Sequence, residues 1–344
     1  MIVLITAIGS FSSSDVLRAC KERGIYIVGT DIYPKTWLSE GGNVDAFYQV
    51  PRFDAGDAYL FALKEIIERE KVDAILPLTD AEIDILNEHR RELKAKLLLS
   101  DQEVIKVARD KEKTKEVVDR VIVGETQFLT IPTHPFSGDE ELPLIVKPKN
   151  GRSSQGLYRI KTEKERQWLV ENILDRENII AQPMMDGDVV TVDVVVGKDG
   201  HAAALPRKEL LRTYNGAGLS VKVFRDRNLE KVSISIAKAL GVLGCVNMEW
   251  IVDRENTYHF LECNPRFSGG IAFSNKAGFD MSGAHLSVFL DNQEIPDNQV
   301  KPCSLVKKYI EVCTEGENDE QKSNAVSSLN PNRQKSGLFP SKPL

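Results

Sequence analysis

Residues His259–Gly270 read HFLECNPRFSGG, and the rest of the chain is best read outward from them. Tyr258 to Leu261 is an apolar run of strand character, and Glu262, Cys263, Asn264, Pro265 and Arg266 close it. Side chains alternate between the faces of a strand, so Glu262 and Asn264 share one face. Glu249 lies 13 residues upstream in VNMEWIV and adds a second carboxylate on what reads as the adjacent strand. Two carboxylates and an amide are oxygen donors suited to a hard cation. Mg²⁺ takes one or two protein carboxylates and completes its shell with phosphate oxygens. Arg266 adds a planar cation suited to phosphate or carboxylate. The competing reading is a strand ending in a turn with solvated acids.

The 344 residues suffice for two or three structural units. Hydrophobic content of 42% and charged content of 28% are those of an ordinary globular chain. A net charge of −6 argues against a nucleic-acid surface, which would be basic. The five cysteines (Cys20, Cys245, Cys263, Cys303, Cys313) are odd in number and none has CxxC spacing, which points away from a disulfide framework and toward a reducing cytoplasm. MIVLITAIGS at the start is apolar without a basic flank and reads as a first strand, and no apolar run is long enough to span a membrane.

Residues 1–105 alternate strand and helix: strands at Ile2–Ile8, Tyr26–Asp31 and Ala74–Leu78, helices at Ser12–Glu22, Ala58–Glu70 and Glu82–Leu93. This alternation predicts a parallel, doubly wound, Rossmann-like sheet. Its first turn, Ala7 to Ser12, lacks GxGxxG, which disfavours a dinucleotide oxidoreductase. Asp31 and Asp80 end strands, and each suits a ligand contact or a turn cap equally well. Beyond residue 105 the spacing predicts one charged helix from Val104 to Val118. A strand at Leu144–Pro148, a helix at Glu163–Leu174 and a strand at Ile179–Gln182 follow. Next come a β-branched strand at Val189–Val196 and a helix at Leu229–Leu240. A hairpin of Cys245–Val252 with Tyr258–Cys263 turns around Asp253–Asn256. Strands outnumber helices here, as in an α+β unit. Residues 316–344 are polar and read as a disordered tail.

Lys147–Gly156, KPKNGRSSQG, follows an apolar strand and carries Gly151, Ser153, Ser154 and Gly156. Glycines admit backbone N–H groups to phosphate oxygens, and serines add donors. The spacing is not that of a Walker A loop; a glycine-rich hairpin folding over a triphosphate compares better, and an exposed flexible hairpin is the alternative. Gln182, Met184 and Met185 suit a hinge whose backbone reads an adenine edge while sulfur covers the ring, or simply fill a core.

Taken in order, the Asp110-Lys111 pair, VKP with its glycine-rich loop, the strand Val189–Asp193, NMEW and LECNPR resemble the ATP-grasp superfamily, in its carbamoyl-phosphate-synthase-like, carboxylate–amine ligase branch. The resemblance spans residues 1 to about 315. It implies a Rossmann-like pre-ATP-grasp domain (1–105) and an α+β ATP-grasp domain of two subdomains, 106–185 with the glycine-rich loop and 186–315 with the metal site. It implies ATP with Mg²⁺, or Mn²⁺ in its place. Lys111, Lys147, Gly151, Ser153, Ser154, Gly156, Gln182, Met184 and Met185 would then contact nucleotide, and Glu249, Glu262 and Asn264 metal. Arg266 would face the transferred phosphate, and Arg207 and Lys208 (with Arg212 beyond) would face phosphate or substrate. Two positions depart from the pattern. Gln182 stands where the family usually has Glu. Gly187-Asp188-Val189 stands where it often has G-x-E, leaving Asp188 or Asp186 to hold the ribose.

The implied chemistry is formation of a C–N bond through an acyl phosphate, with ADP and phosphate released. The implied partners are a small carboxylate, such as an amino acid, and an amine, without nucleic acid or membrane, in a chain that is often a homodimer among relatives. Asn215–Ser220 and Asn264–Ser274 are candidates for the acceptor site. A nucleotide-binding regulatory protein without turnover is the alternative that Gln182 and Val189 motivate.

Overall fold

A computed structural model describes residues 1–314 apart from 152–155, 174–175, 214–215, 292–294 and 297. The tail expected at 316–344 therefore lies outside the described residues, as do Ser153 and Ser154.

The first unit is a parallel sheet in the order β3-β2-β1-β4-β5, formed by β1 (Ile2–Ile5), β2 (Tyr26–Asp31), β3 (Ala46–Gln49), β4 (Ala74–Leu76) and β5 (Lys96–Leu97). Both faces of β1 are buried because helices cover both. α1 (Ser13–Glu22) turns Val16, Leu17, Ala19 and Cys20 inward, and α2 (Asp57–Glu70) buries Tyr59, Leu60, Leu63, Ile66 and Ile67 at helical spacing. α3 (Asp80–Glu88) starts directly beyond β4, which puts Asp80 at the strand end where α/β sheets present ligand contacts.

The helix expected across Val104–Val118 is two helices, α4 (Gln102–Arg109) and α5 (Lys111–Val118). Asp110 between them is extended, at φ −108° and ψ 112°, and its carboxylate accepts from the backbone N–H groups of Glu112 and Lys113. An N-cap within a helical pattern breaks the helix and starts a new one. Here it sets Lys111 at the first turn of α5. Asp110→Ala is expected to cost about 1 kcal/mol of stability, seen as a lowered thermal midpoint. An unchanged midpoint would show that the cap is unimportant.

A second, antiparallel sheet has the order β7-β10-β8-β9, from β7 (His134–Pro135), β8 (Leu144–Pro148), β9 (Tyr158–Ile160) and β10 (Ile179–Pro183). It packs on α6 (Glu163–Asn172) through Leu169.

The third sheet holds seven strands in the order β16-β13-β12-β11-β14-β15-β6. They are β6 (Phe128–Thr130), β11 (Asp188–Val196), β12 (Ala202–Arg212), β13 (Gly218–Val223), β14 (Gly244–Val252), β15 (Tyr258–Asn264) and β16 (Cys303–Val306). β6 joins this sheet beside β15, so the segment 106–185 contributes to two sheets and not to the small one alone. One face packs Val190, Val192, Val194, Met248, Trp250 and Phe260 against Leu229, Val232 and Ile236 of α7 (Arg227–Ala239). The strands β12 and β13 and the short helices α8 (Ile271–Lys276) and α9 (Met281–Leu286) were not among the sequence expectations.

The first unit docks on α8 and α9. Buried Asp15 accepts from Ser282 Oγ at 2.7 Å and Asn275 Nδ2 at 2.9 Å, and Arg18 pairs with Asp280 at 2.7 Å. Among the described residues no helix is long and apolar enough to cross a membrane, and Cys20, Cys245, Cys263 and Cys303 are free thiols.

Candidate active site

The opposite face of the large sheet is apolar at one end, where Val195, Ala203, Leu205, Val221, Val223 and Cys245 join the core shared with the first unit, α8 and α9, and polar at the other. Thr191 pairs with Arg207 on one side and Glu249 on the other, and Glu249 pairs with Glu262. Two residues along each strand, Asp193, Asn247 and Asn264 fall on the same face. The face thus runs Arg207, Thr191, Glu249, Glu262 across four strands. A bulge in β15 sets this register: Glu249 opposes Glu262 while Trp250 opposes Phe260, leaving Leu261 as the extra residue. Strict pairing would have placed a carboxylate against an apolar neighbour.

Cations surround the two carboxylates. Lys111 Nζ lies 3.4 Å from Glu262 Oε2, and Arg212 Nη2 donates to Glu249 Oε1 at 2.8 Å. Arg266 Nη2 donates to Asp80 Oδ2 at 2.8 Å, and Arg109 pairs with Asp84 at 2.8 Å and approaches Asp80 at 3.6 Å. Burial opposes ionisation of Glu262, but Lys111, Lys147, the Asn264 amide and Arg266 outweigh it and hold the carboxyl below its usual range. Glu249 moves the other way: burial and the neighbouring Glu262 push it up more than Arg212 pulls it down. Two adjacent carboxyls with opposed shifts are typical of a site that works on charge. Lys147, on β8 of the small sheet, is buried, and desolvation lowers its pKa to about 8 despite the pull of Glu262.

The structure brings Lys111, Lys147, Glu249, Glu262, Asn264 and Arg266 into one cluster. Gly151 contributes its carbonyl, which accepts from Lys111 Nζ at 3.2 Å, and Gly156 turns at φ 68°. Gln182 is buried and donates from Nε2 to Thr133 Oγ1 at 2.8 Å; Met184 donates its N–H to Pro143 O at 3.0 Å, and Met185 is half-buried.

Arg207 and Lys208 part company, because neighbours on a strand face opposite ways. Arg207 is only 2% exposed, held by Asp193 and Glu209 and donating to Ser268 Oγ at 2.8 Å. Lys208 lies on the other face, paired with Asp188 at 2.5 Å, and neither residue lines the cleft. Asp31 accepts from the N–H groups of Gly9 and Tyr33 at 2.8 and 3.0 Å, so it braces the first strand–helix turn. Sequence reasoning missed Asn247, which anchors Arg266 O at 3.1 Å, and the bonding of Asp80 to Arg266. The two-residue spacing of Asn247 and Glu249 was a usable signal for the first.

Two spaces meet at this cluster. A cleft of about 760 Å³ lies between the first unit and the polar face, lined by Asp80, Arg207, Glu249, Glu262, Asn264 and Arg266 among others. A narrow space of about 10 Å³ lies toward the small sheet, lined by Lys111, Thr133, Gln182, Phe260, Glu262 and Asn264 among others. Glu262 and Asn264 are common to both.

The residues fit a magnesium ion. Asn264 Nδ2 donates to Glu262 Oε1 at 3.2 Å, so its amide would turn over to share a cation with that carboxylate through oxygen. Among the described residues no group of three or more Asp, Glu, His and Cys gathers as a metal cage. Two carboxylates and an amide suit a cation shared with phosphate oxygens.

Two family models match in succession: "PylC-like, N-terminal domain" over residues 3–117 and "ATP-grasp in the biosynthetic pathway with Ter operon" over 175–311. The segment 175–311 thus matches the ATP-grasp superfamily. Among curated relatives, the carbamoyl phosphate synthase large chain of Methanosarcina mazei is 26% identical over 298 residues, covering 78% of this chain and 26% of the relative. The chain thus spans about a quarter of the length of such relatives. The biotin carboxylase domain dimer of the Hydrogenobacter thermophilus 2-oxoglutarate carboxylase, solved with MgADP, ADP and bicarbonate, superposes with a TM-score of 0.70 at 18% identity, covering 86% of this chain and 71% of that one. An L-amino acid ligase from Bacillus licheniformis gives 0.65 at 16% identity, covering 84% and 74%. Likeness at that identity speaks for the ATP-grasp fold.

Proposed function

We propose that this ATP-grasp chain is an ADP-forming carboxylate–amine ligase acting on small molecules such as amino acids. A substrate carboxylate oxygen attacks the γ-phosphorus of ATP, the bond to the β–γ bridging oxygen breaks, and ADP leaves. An amine nitrogen then attacks the acyl carbon, inorganic phosphate departs with the electrons of the C–O bond, and the surplus proton of the amine passes to solvent.

Phosphoryl transfer asks a protein for positioning and charge neutralisation more than for covalent help. Glu249, Glu262 and Asn264 would hold Mg²⁺, which when bound offsets the charge of the phosphates. Lys111 and Lys147 neutralise the nucleotide side, and Arg266, held by Asp80, faces the transferred group. The observation that carries the reading is that Glu262 and Asn264 line both spaces. A nucleotide placed between the small sheet and Lys111 would present its terminal phosphate at the wall of the larger cleft, where an acceptor has room.

The test is release of ADP and phosphate from Mg-ATP across pooled amino acids and small carboxylic acids. Release that depends on one pool supports a ligase. Silence from every pool while Mg-ATP still binds would overturn the reading in favour of a nucleotide-binding protein without turnover.

A further inference from the structure

The cleft extends well past the phosphate end, and its far wall has no part in the chemistry above. That wall comes from the first unit: Phe11 after β1, and Tyr33, Trp37 and Phe53 beyond β2. Phe11 is 50% exposed, Tyr33 51% and Trp37 73%, and the last two rings lie near-parallel with centroids 6.1 Å apart. Lys307 Nζ stands 4.6 Å from the Phe11 ring centroid, so the rings left most open are those of Tyr33 and Trp37, and open rings inside a concave site supply apolar contact that a ligand can cover.

The floor is shaped for the other end of such a ligand. A side chain at Gly269 would come within 3.1 Å of Ala217 Cβ and 3.5 Å of Phe11 Cβ, and one at Gly270 within 3.1 Å of Arg207 Nη2. Glycine at both places keeps the floor open beneath Phe11. Glu209 reaches this floor from β12. Its Oε1 accepts from Thr191 Oγ1 at 2.8 Å and from Arg207 Nε at 3.2 Å. Its side chain is 2% exposed, and its Oε2 has no hydrogen-bond partner among the described residues. A buried carboxylate oxygen without a donor is costly, and a ligand ammonium group would satisfy it.

We propose that the carboxylate phosphorylated in this cleft belongs to an α-amino acid with an aromatic side chain. Its carboxylate faces Arg266, its ammonium group sits on Glu209 Oε2, and its ring packs among Phe11, Tyr33 and Trp37. This rests on the ligase reading for its chemistry, while the binding itself does not depend on turnover.

The experiment compares L-phenylalanine, L-tryptophan, L-alanine and 3-phenylpropanoate as carboxylate substrates for Mg-ATP-dependent ADP release by the full chain, each with hydroxylamine in excess as the common acceptor nitrogen. The aromatic amino acids are expected to exceed L-alanine in kcat/KM by about a hundredfold, the worth of burying a ring. Trp37→Ala is expected to raise the KM for L-phenylalanine by about tenfold with a smaller change in kcat. Glu209→Gln keeps the side-chain shape and is expected to shrink the preference for L-phenylalanine over 3-phenylpropanoate by about tenfold, which a purely structural role would not do. Turnover with aliphatic acids that ignores Trp37→Ala would overturn the proposal and leave the ligase reading intact. If no acid elicits turnover, the ligase reading fails, and calorimetry of L-phenylalanine binding decides the proposal alone: binding weakened by Trp37→Ala upholds it, and absence of binding overturns it.

Discussion

Glu262→Gln is expected to leave the fold in place and to lower Mg-ATP-dependent ADP release by about a thousandfold. The carboxyl is ionised at any working pH, because Lys111, Lys147, Asn264 and Arg266 together outweigh its burial. Glutamine keeps the volume and an oxygen for Asn264 Nδ2 to donate to, and removes only the charge. What is lost is the negative charge that would hold the metal and that counters Lys111 and the buried Lys147. Turnover by the variant at saturating Mg²⁺, measured beside its circular dichroism, checks the assignment; activity near that of the parent protein would remove Glu262 from the metal site.

Lys147→Met is expected to separate stability from binding. Burial lowers the pKa of Lys147 from 10.5 to about 8, so the charged form is disfavoured in the folded state. Between those two values the unfolded chain binds more protons, and stability rises with pH through that window. The cost, on the order of 3 kcal/mol, is fully present below pH 8. Methionine fills similar space without charge, so the variant's thermal midpoint at pH 7 is expected to lie above that of the parent. The gap should narrow as pH climbs from 8 to 10.5. Affinity for Mg-ATP is expected to drop by about a hundredfold at pH 7, since a buried ammonium facing phosphate is lost. A lower midpoint, or unchanged nucleotide affinity, would count against the role given to Lys147.

Both variants concern residues that sequence could find, and the reason is local. Strand alternation placed Glu262 and Asn264 together, and the turn at Asp253–Asn256 made β14 the partner of β15. Whether Glu249 would stand opposite Glu262 depended on the bulge at Leu261, which no composition or periodicity encodes. Arg207 and Lys208 show the same limit. Either could have faced the cleft, and only pairing with β11, which sets Arg207 beside Thr191, decides between them. The missed strand β12 opens with small and apolar residues, buried on both faces from Ala203 to Pro206, and turns charged at Arg207, Lys208 and Glu209, so it shows neither strand alternation nor a sustained apolar run. The break at Asp110 was hidden by helical spacing on both sides of it. Asp80 and Arg266 are 186 positions apart, and nothing local joins them.

That last bond bears on how such a chain could be rebuilt from parts. The leading sheet looks like a self-contained module that could be exchanged for another of its kind. Yet it supplies the acid that fixes Arg266, and it is latched to α8 and α9 through Asp15 and Arg18. A chimera with a foreign leading module would assemble the Glu249, Glu262 and Asn264 cluster and still leave Arg266 without the carboxylate that Asp80 gives it. Transplanting this half successfully means carrying an aspartate at the start of α3 along with it, so the unit of inheritance here is the pair of domains and the contacts between them.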